Sequence, residues 1–259
     1  MGLGQPLTPT ARHPAYKAKG VPGCLIGQRD MSESRASQGE LIRMVFVRIL
    51  VTILVLFALF FLPAGTFAYW EAWVYLSILF VPMLFFAIYL LKNDPELLAR
   101  RMKMREKEAE QQLIIKLSYI PFVFAFLLPG FDKRLGWSNA FVGAVVISDI
   151  LVLLGFGIVF LAFRENRYAS RIIEVEKGQT VISSGPYAMV RHPMYAGLLP
   201  LYTLSPLALG SYWAIIPAIL IIPFIVARIR NEERVLTREL PGYQEYMQKT
   251  RYRLIPGMW

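Results

Sequence analysis

Cysteine and histidine are almost missing from this chain of 259 residues, which has one Cys (Cys24) and two His (His13 and His192). A single thiol makes neither an internal disulfide nor a thiolate metal cluster. Two imidazoles are too few for a histidine-built metal site, so no metal is expected. Acidic residues are also short, 18 Asp and Glu against 28 Lys and Arg, for a formal charge of +10. On a soluble domain that excess would suggest nucleic acid. Here 56% of the residues are hydrophobic, so the cations read as cytoplasmic loops beside anionic lipid, and no nucleic-acid partner is expected. A secretory signal is lacking as well, because a long polar stretch precedes the first apolar run and no small-residue cleavage site follows it.

What is present is a series of apolar runs. Residues 1–40 are rich in Gly, Pro, Ser and charge without apolar periodicity, and are expected to be disordered. Within them Met31 opens MSESRASQGELIRM and is expected to be an alternative start. Four runs of near spanning length follow, Met44–Leu62, Trp73–Leu91, Leu113–Pro129 and Asn139–Phe163, the third short and broken by Lys116 and Pro121. Two more, Met194–Leu209 and Tyr212–Ala227, are separated only by Gly210 and Ser211, as in a tight helical hairpin. The expectation is an all-α integral membrane protein of about six apolar helices, four spans plus a C-terminal hairpin. Residues 41–138 would hold the first three spans and residues 139–259 the functional region.

Orientation follows the basic residues. The second connection carries Lys92, Arg100, Arg101, Lys103, Arg105 and Lys107, and the fourth carries Arg164, Arg167, Arg171, Lys177 and Arg191. The first connection has none and the third only Lys133 and Arg134, so both termini and both basic connections are expected in the cytosol. The stretch from Asp94 to Gln112 opens with Asp-Pro and reads as an interfacial helix or a solvated charged one.

Polar chemistry gathers after the fourth run. Ser183-Ser184-Gly185-Pro186 is a turn, and His192 precedes Pro193, a residue favoured in the first turn of a helix because its missing N–H had no partner there. The hairpin is therefore expected to begin at Arg191-His192-Pro193-Met194-Tyr195-Ala196-Gly197. A helix start attracts carboxylate or phosphate, and Gly197 allows close approach to the backbone. The same residues also suit an interfacial anchor, with Arg reaching headgroups and Tyr in the aromatic belt. At the hairpin's exit, Arg228 and Glu232 share a helix face and suit a local ion pair. Glu232 and Glu233 point about 100° apart, so at most one faces a cleft. Arg12-His13-Pro14-Ala15-Tyr16 repeats the string without its context and is read as chance.

The order Gly185-Pro186-Tyr187, Arg191 to Gly197, Arg228 with Glu232-Glu233, and then Gly242-Tyr243, Tyr246 and Ile255-Pro256 resembles the isoprenylcysteine carboxyl methyltransferase family, with its related phospholipid methyltransferases, over residues 139–256. The resemblance implies S-adenosylmethionine as methyl donor in a cytosolic pocket. It implies donor binding by the strand-like run Gln179-Thr180-Val181-Ile182, Tyr187, His192, Pro193, Met194, Tyr195 and Glu232, with Glu174 matching across a gap. Arg228 falls where the family binds substrate. Gly155-Phe156-Gly157 matches a Gly-x-Gly of the phospholipid branch, or marks close helix packing.

Methyl transfer from a sulfonium needs alignment more than acid or base. A carboxylate acceptor is already ionised and would be oriented by Arg228; an amine or thiol must lose a proton, to Glu233 or to solvent. The acceptor is expected to be a lipophilic molecule or lipidated group, entering laterally between the hairpin and the third and fourth spans, with the tail from Arg234 to Trp259 as a lid or an interfacial helix. Carboxyl O-methylation is the leading reading. N- or S-methylation of a phospholipid amine or small thiol is the alternative, and a sterol-reductase-like NADPH enzyme is a further one. A scaffold or transporter would need internal repeats or mid-span acids, and only Asp149 offers the latter.

Overall fold

The computed structural model describes residues 25–102, 106, 109–169, 173, 175–176 and 178–259, with residues 25–37 described as helical backbone only. The chain divides into a unit of residues 1–40 and a unit of residues 41–259. Every regular element among the described residues is helical, as expected.

Helix α1 runs Leu25–Ala64, so its start lies inside the stretch expected to be disordered. Residues 25–40 include Gln28, Arg29, Met31, Glu33 and Glu40 and no proline, and these straight-chain residues lose little rotamer freedom in a helix. The expectations for residues 1–24 fall outside the described residues. Helix α2 spans Trp70–Asn93 and the short α3 Pro95–Arg101, with Asp94 accepting from the Leu97 backbone N–H at 2.9 Å across the helix start. Asp94 to Gln112 is thus not one interfacial helix, since its last residues open α4, Ala109–Leu135. The third apolar run is no shorter than its neighbours: α4 has 27 residues and includes Pro121 and Pro129. Helix α5 is Val142–Glu165.

Among the described residues four helices are long and apolar enough to cross a membrane: Gln38–Ala64 within α1, α2, α4 and α5. Their outward residues, such as Phe46, Leu54, Leu84 and Leu154, are exposed in the protein alone, as lipid-facing residues must be. Between such helices lipid competes as an apolar partner, so tight packing depends on small residues. A Cβ on Gly155 of α5 would stand 2.5 Å from the Gly197 carbonyl oxygen, and one on Gly197 would stand 2.6 Å from the Gly155 oxygen. The pair therefore marks a close helix crossing, the packing reading of both glycines.

The hairpin is more broken than two continuous helices. It consists of α6 Pro193–Thr203, α7 Ser205–Ala208, a turn at Gly210, α8 Ile215–Ile219 and α9 Ile222–Glu239. Pro206 and Pro223 lie in the first turns of α7 and α9, where a proline suits a helix start but cannot continue the helix before it, while Pro200 and Pro217 are held inside α6 and α8. The hairpin's tip is fastened by Asp132, which is buried and accepts from the Ser138 backbone N–H and hydroxyl, both at 2.6 Å, and from the Ser211 hydroxyl. After α9 the chain turns at Gly242, whose φ of 83° favours glycine, into α10, Tyr243–Lys249.

Candidate active site

His192 is the N-cap residue and Pro193 the first residue of α6, where the sequence put the helix start. Just before it, Gly185–Ala188 forms one 3-10 turn that carries Tyr187 inward. Glycine is required at 185, where φ is +54° and a Cβ would press against Glu165 at 3.0 Å. Gln179, Thr180, Val181 and Ile182 adopt no regular secondary structure, so they form a loop wall rather than a strand.

These segments enclose a cleft of about 100 Å3, lined by polar and apolar groups in similar measure, that opens to solvent. Gln179 to Ile182, Tyr187, His192, Met194, Tyr195, Arg228 and Glu232 all line it. Pro193 is buried at the helix start and contributes no lining, and Glu174 lies outside the described residues. Further lining comes from Asn166, Tyr168, Arg191 and Leu236, and from Tyr243 and Tyr246 of α10. The tail thus forms a wall of the cleft.

The two glutamates separate in role. Glu232 faces the cleft and accepts from the Tyr195 hydroxyl at 2.7 Å, with His192 Nδ1 4.0 Å from its other oxygen. Glu233 is buried beneath the cleft and is not part of its lining. It accepts from Arg191 Nε at 2.7 Å and from Arg253 Nε at 2.8 Å, and lies 3.3 Å from His192 Nε2. Burial alone would raise its pKa, but the hydrogen bonds from His192, Arg253 and Arg191 outweigh that and hold the carboxyl at about 2. A carboxylate so held is a poor proton acceptor, which argues against the general-base role considered for it.

Arg191 extends the same network. Its Nη1 donates to the backbone carbonyls of Thr250 and Arg251, both at 2.9 Å, while its own N–H donates to the Tyr252 carbonyl. The Tyr246 hydroxyl donates to the Tyr187 carbonyl at 2.7 Å. The tail is therefore bound to the motif rather than spread on the membrane surface. Burial pushes the Tyr243 hydroxyl's pKa up, and the group sits at the cleft with no hydrogen-bond partner among the described residues. A buried hydroxyl left unmatched is a place where a ligand atom fits.

Arg228 stands at a junction. Its Nε donates to the Tyr195 hydroxyl at 2.8 Å, and its Nη1 and backbone carbonyl meet the fully buried Gln111 side chain at 3.4 and 3.2 Å. Met194, Tyr195 and Arg228 line the cleft and also a second, mostly apolar groove of about 520 Å3. Other walls of the groove are α4, through Ile114, Ile115 and Phe122, and α9, through Phe224 and Ile225, with Ile221 just before it. The third span and the hairpin form it as expected, but the fourth span does not, because α5 is held against α6 at the Gly155–Gly197 crossing.

Gln111 and Arg101 were not foreseen. Arg101 lies over the Phe163 ring at 4.5 Å and donates to Met194 Sδ at 3.6 Å. Both sit in a stretch crowded with charged and amide residues, where no spacing signal sets them apart. Among the described residues no group of three or more His, Cys, Asp or Glu could hold a metal ion.

Two curated proteins are similar to part of the chain. The cobalt-zinc-cadmium resistance protein CzcN of Cupriavidus metallidurans is 32% identical over 136 residues, 51% of this chain and 57% of that protein. The nickel-cobalt-cadmium resistance protein NccN of Alcaligenes xylosoxydans xylosoxydans is 28% identical over 105 residues, 40% of this chain and 49% of that protein. The chain thus spans about half the length of the curated relatives it matches. The profile of the Isoprenylcysteine carboxyl methyltransferase (ICMT) family matches residues 145–238, the stretch that carries GPY, RHPMYAG and the paired glutamates. Over that stretch the chain is similar to the isoprenylcysteine carboxyl methyltransferase family.

Proposed function

We propose that this protein is an S-adenosylmethionine-dependent membrane methyltransferase whose acceptor is a lipophilic carboxylate. The observation that carries the reading is the meeting of the more polar cleft and the mostly apolar groove at Met194, Tyr195 and Arg228. A polar donor and a lipid-like acceptor need two such compartments with one shared edge. The cleft's carboxylate Glu232 suits an ammonium, and the unmatched Tyr243 hydroxyl suits a polar ligand atom. The residues present therefore fit the donor. Gln179 to Ile182 and Tyr187 would hold it along the loop wall, and His192 to Tyr195 at the helix start.

S-adenosylmethionine supplies a methyl group on a positively charged sulfur. The chain's part is positioning. Arg228 is placed to orient an anionic acceptor head at the shared edge, while the groove's Ile and Phe side chains receive its apolar body. A carboxylate needs no base, and Glu233, held at about 2 and engaged by Arg191, Arg253 and His192, offers none. The cleft is read as cytosolic because Arg164, Arg167 and Arg191 lie on its side of the membrane helices. The relatives' names concern metal resistance; carried here, that would make the methylation one part of a resistance system rather than metal binding by this chain.

The test is calorimetric titration of the protein in nanodiscs with S-adenosylmethionine and with NADPH, followed by labelled-donor turnover. The acceptors would be an S-prenylated N-acetylcysteine, a fatty acid, a phospholipid amine and a small thiol. Donor binding and methyl ester formation are expected. Binding of NADPH but not S-adenosylmethionine would overturn the reading, and turnover of the amine or thiol alone would overturn its carboxylate half.

A further inference from the structure

We infer that the Tyr195 hydroxyl is a spacer that keeps Arg228 and Glu232 from closing on each other, so that each keeps its charge directed at a different ligand. The inference rests on the methyltransferase reading, because it assigns Glu232 to the donor and Arg228 to the acceptor.

Arg228 and Glu232 are one turn apart on α9, the spacing at which opposite charges pair across a helix face. Away from bulk water the attraction between them is stronger than on a surface. Closed on each other, the two would neutralise the cleft's anion and the groove's cation together. Tyr195 comes from α6, is 5% exposed, and puts its oxygen 2.8 Å from Arg228 Nε and 2.7 Å from Glu232 Oε2. Proton counting fixes the direction of both bonds. The guanidinium has only donors, so its N–H donates to the phenol oxygen, and the single phenol proton goes to the carboxylate. The hydroxyl thereby bridges the ions while holding them one oxygen apart. Gln111, on the far side of Arg228, adds a second restraint on the guanidinium. An ordinary buried tyrosine needs one acceptor only; this one sits between a cation and an anion at the edge shared by both cavities. Tyr195 is accordingly a positioning residue.

The experiment is a double-variant cycle read by calorimetric binding of S-adenosylmethionine and S-adenosylhomocysteine to the full chain in nanodiscs. Tyr195→Phe keeps the ring and removes the spacer, so Arg228 captures Glu232, and donor affinity should fall about tenfold, the equivalent of about 1.4 kcal/mol. Arg228→Met removes the capturing cation. Tyr195→Phe/Arg228→Met should therefore bind the donor within about threefold of Arg228→Met alone, a non-additivity that a plain wall hydrogen bond would not give. Equal losses on adding Tyr195→Phe to the parent and to Arg228→Met would overturn the spacer. So would Tyr195→Phe binding within twofold of the parent. Should Tyr195→Phe alone fail to fold, the comparison of Arg228→Met with the double variant still decides, since neither carries the pair. A parent that binds neither donor ligand would overturn the methyltransferase reading and the spacer with it, an outcome distinct from failure of the cycle alone.

Discussion

Replacing Glu233 separates a structural carboxylate from a chemical one. Its side chain is 8% exposed and meets Arg191, 6% exposed, and Arg253, 32% exposed, with His192 as third partner. Glu233→Ala leaves the Arg191 guanidinium buried without its anion, a loss of about 3–5 kcal/mol. Glu233→Gln keeps the shape and one acceptor, and should cost about 1.5–3 kcal/mol for the weakened charged hydrogen bonds. At about 2–4 °C per kcal/mol for a domain of this size, the Ala variant should melt at least about 6 °C lower in detergent. The carboxyl's pKa falls from its ordinary 4.5 to about 2 on folding. Its stabilisation, about 3 kcal/mol from that difference, is therefore fully present above pH 4.5 and lost as pH falls towards 2. The parent should lose more melting temperature between pH 5 and 3 than Glu233→Gln does. Donor affinity of whichever variant stays folded should drop through displacement of His192, and protease should cut earlier in residues 243–259. A Glu233→Gln protein that melts with the parent and shows the parent's pH slope would refute the account. One that melts with the parent but loses only the turnover of proton-releasing acceptors would restore Glu233 as a base.

Further outcomes follow from single contacts. Arg228→Ala should abolish turnover of carboxylate acceptors while S-adenosylmethionine still binds, measured by labelled-donor assay beside calorimetry; unchanged turnover would remove Arg228 from the acceptor site. Gly155→Ala, whose Cβ would meet backbone oxygen at 2.5 Å, should lose about 1–3 kcal/mol in thermal unfolding. Gly157→Ala, with nothing within 4 Å, should be neutral or slightly stabilising in the same assay. Asp132→Ala strips the acceptor from Ser138 and Ser211 and should raise hydrogen exchange at residues 205–214 with little change at the cleft. Tyr243→Phe should weaken donor binding without lowering the melting temperature, because its hydroxyl has no hydrogen-bond partner among the described residues.

The long spans were legible because lipid imposes one rule on some twenty residues together. The start of α6 was legible at His192-Pro193 because a proline after a non-helical residue is a local event. The hairpin's fragmentation had a visible signal in Pro206 and Pro223, but apolar character alone suggested continuous helices. The angular argument separated Glu232 from Glu233, yet the sequence could not say which one faces the cleft. That depends on Arg253, twenty residues later, and on Arg191, forty-two earlier. The Arg228–Glu232 pairing read from helix spacing was missing its third member, since Tyr195 arrives from another helix. Long-range side-chain meetings of this kind leave no periodic trace.

The hold of Arg191 on the Thr250 and Arg251 carbonyls bears on how the protein is made. During synthesis the four long helices emerge and can enter the membrane before any residue of the hairpin exists. The cleft's walls come from residues 166–246, and the buried Arg191–Glu233 pair is closed only by backbone near residue 251 and by Arg253. Insertion of the long apolar helices and closure of the cleft are thus separated in time by the order of the chain. In a nascent protein stalled before residue 250 the cleft would still be open, because the Arg191–Glu233 pair would lack the Thr250 and Arg251 carbonyls and Arg253.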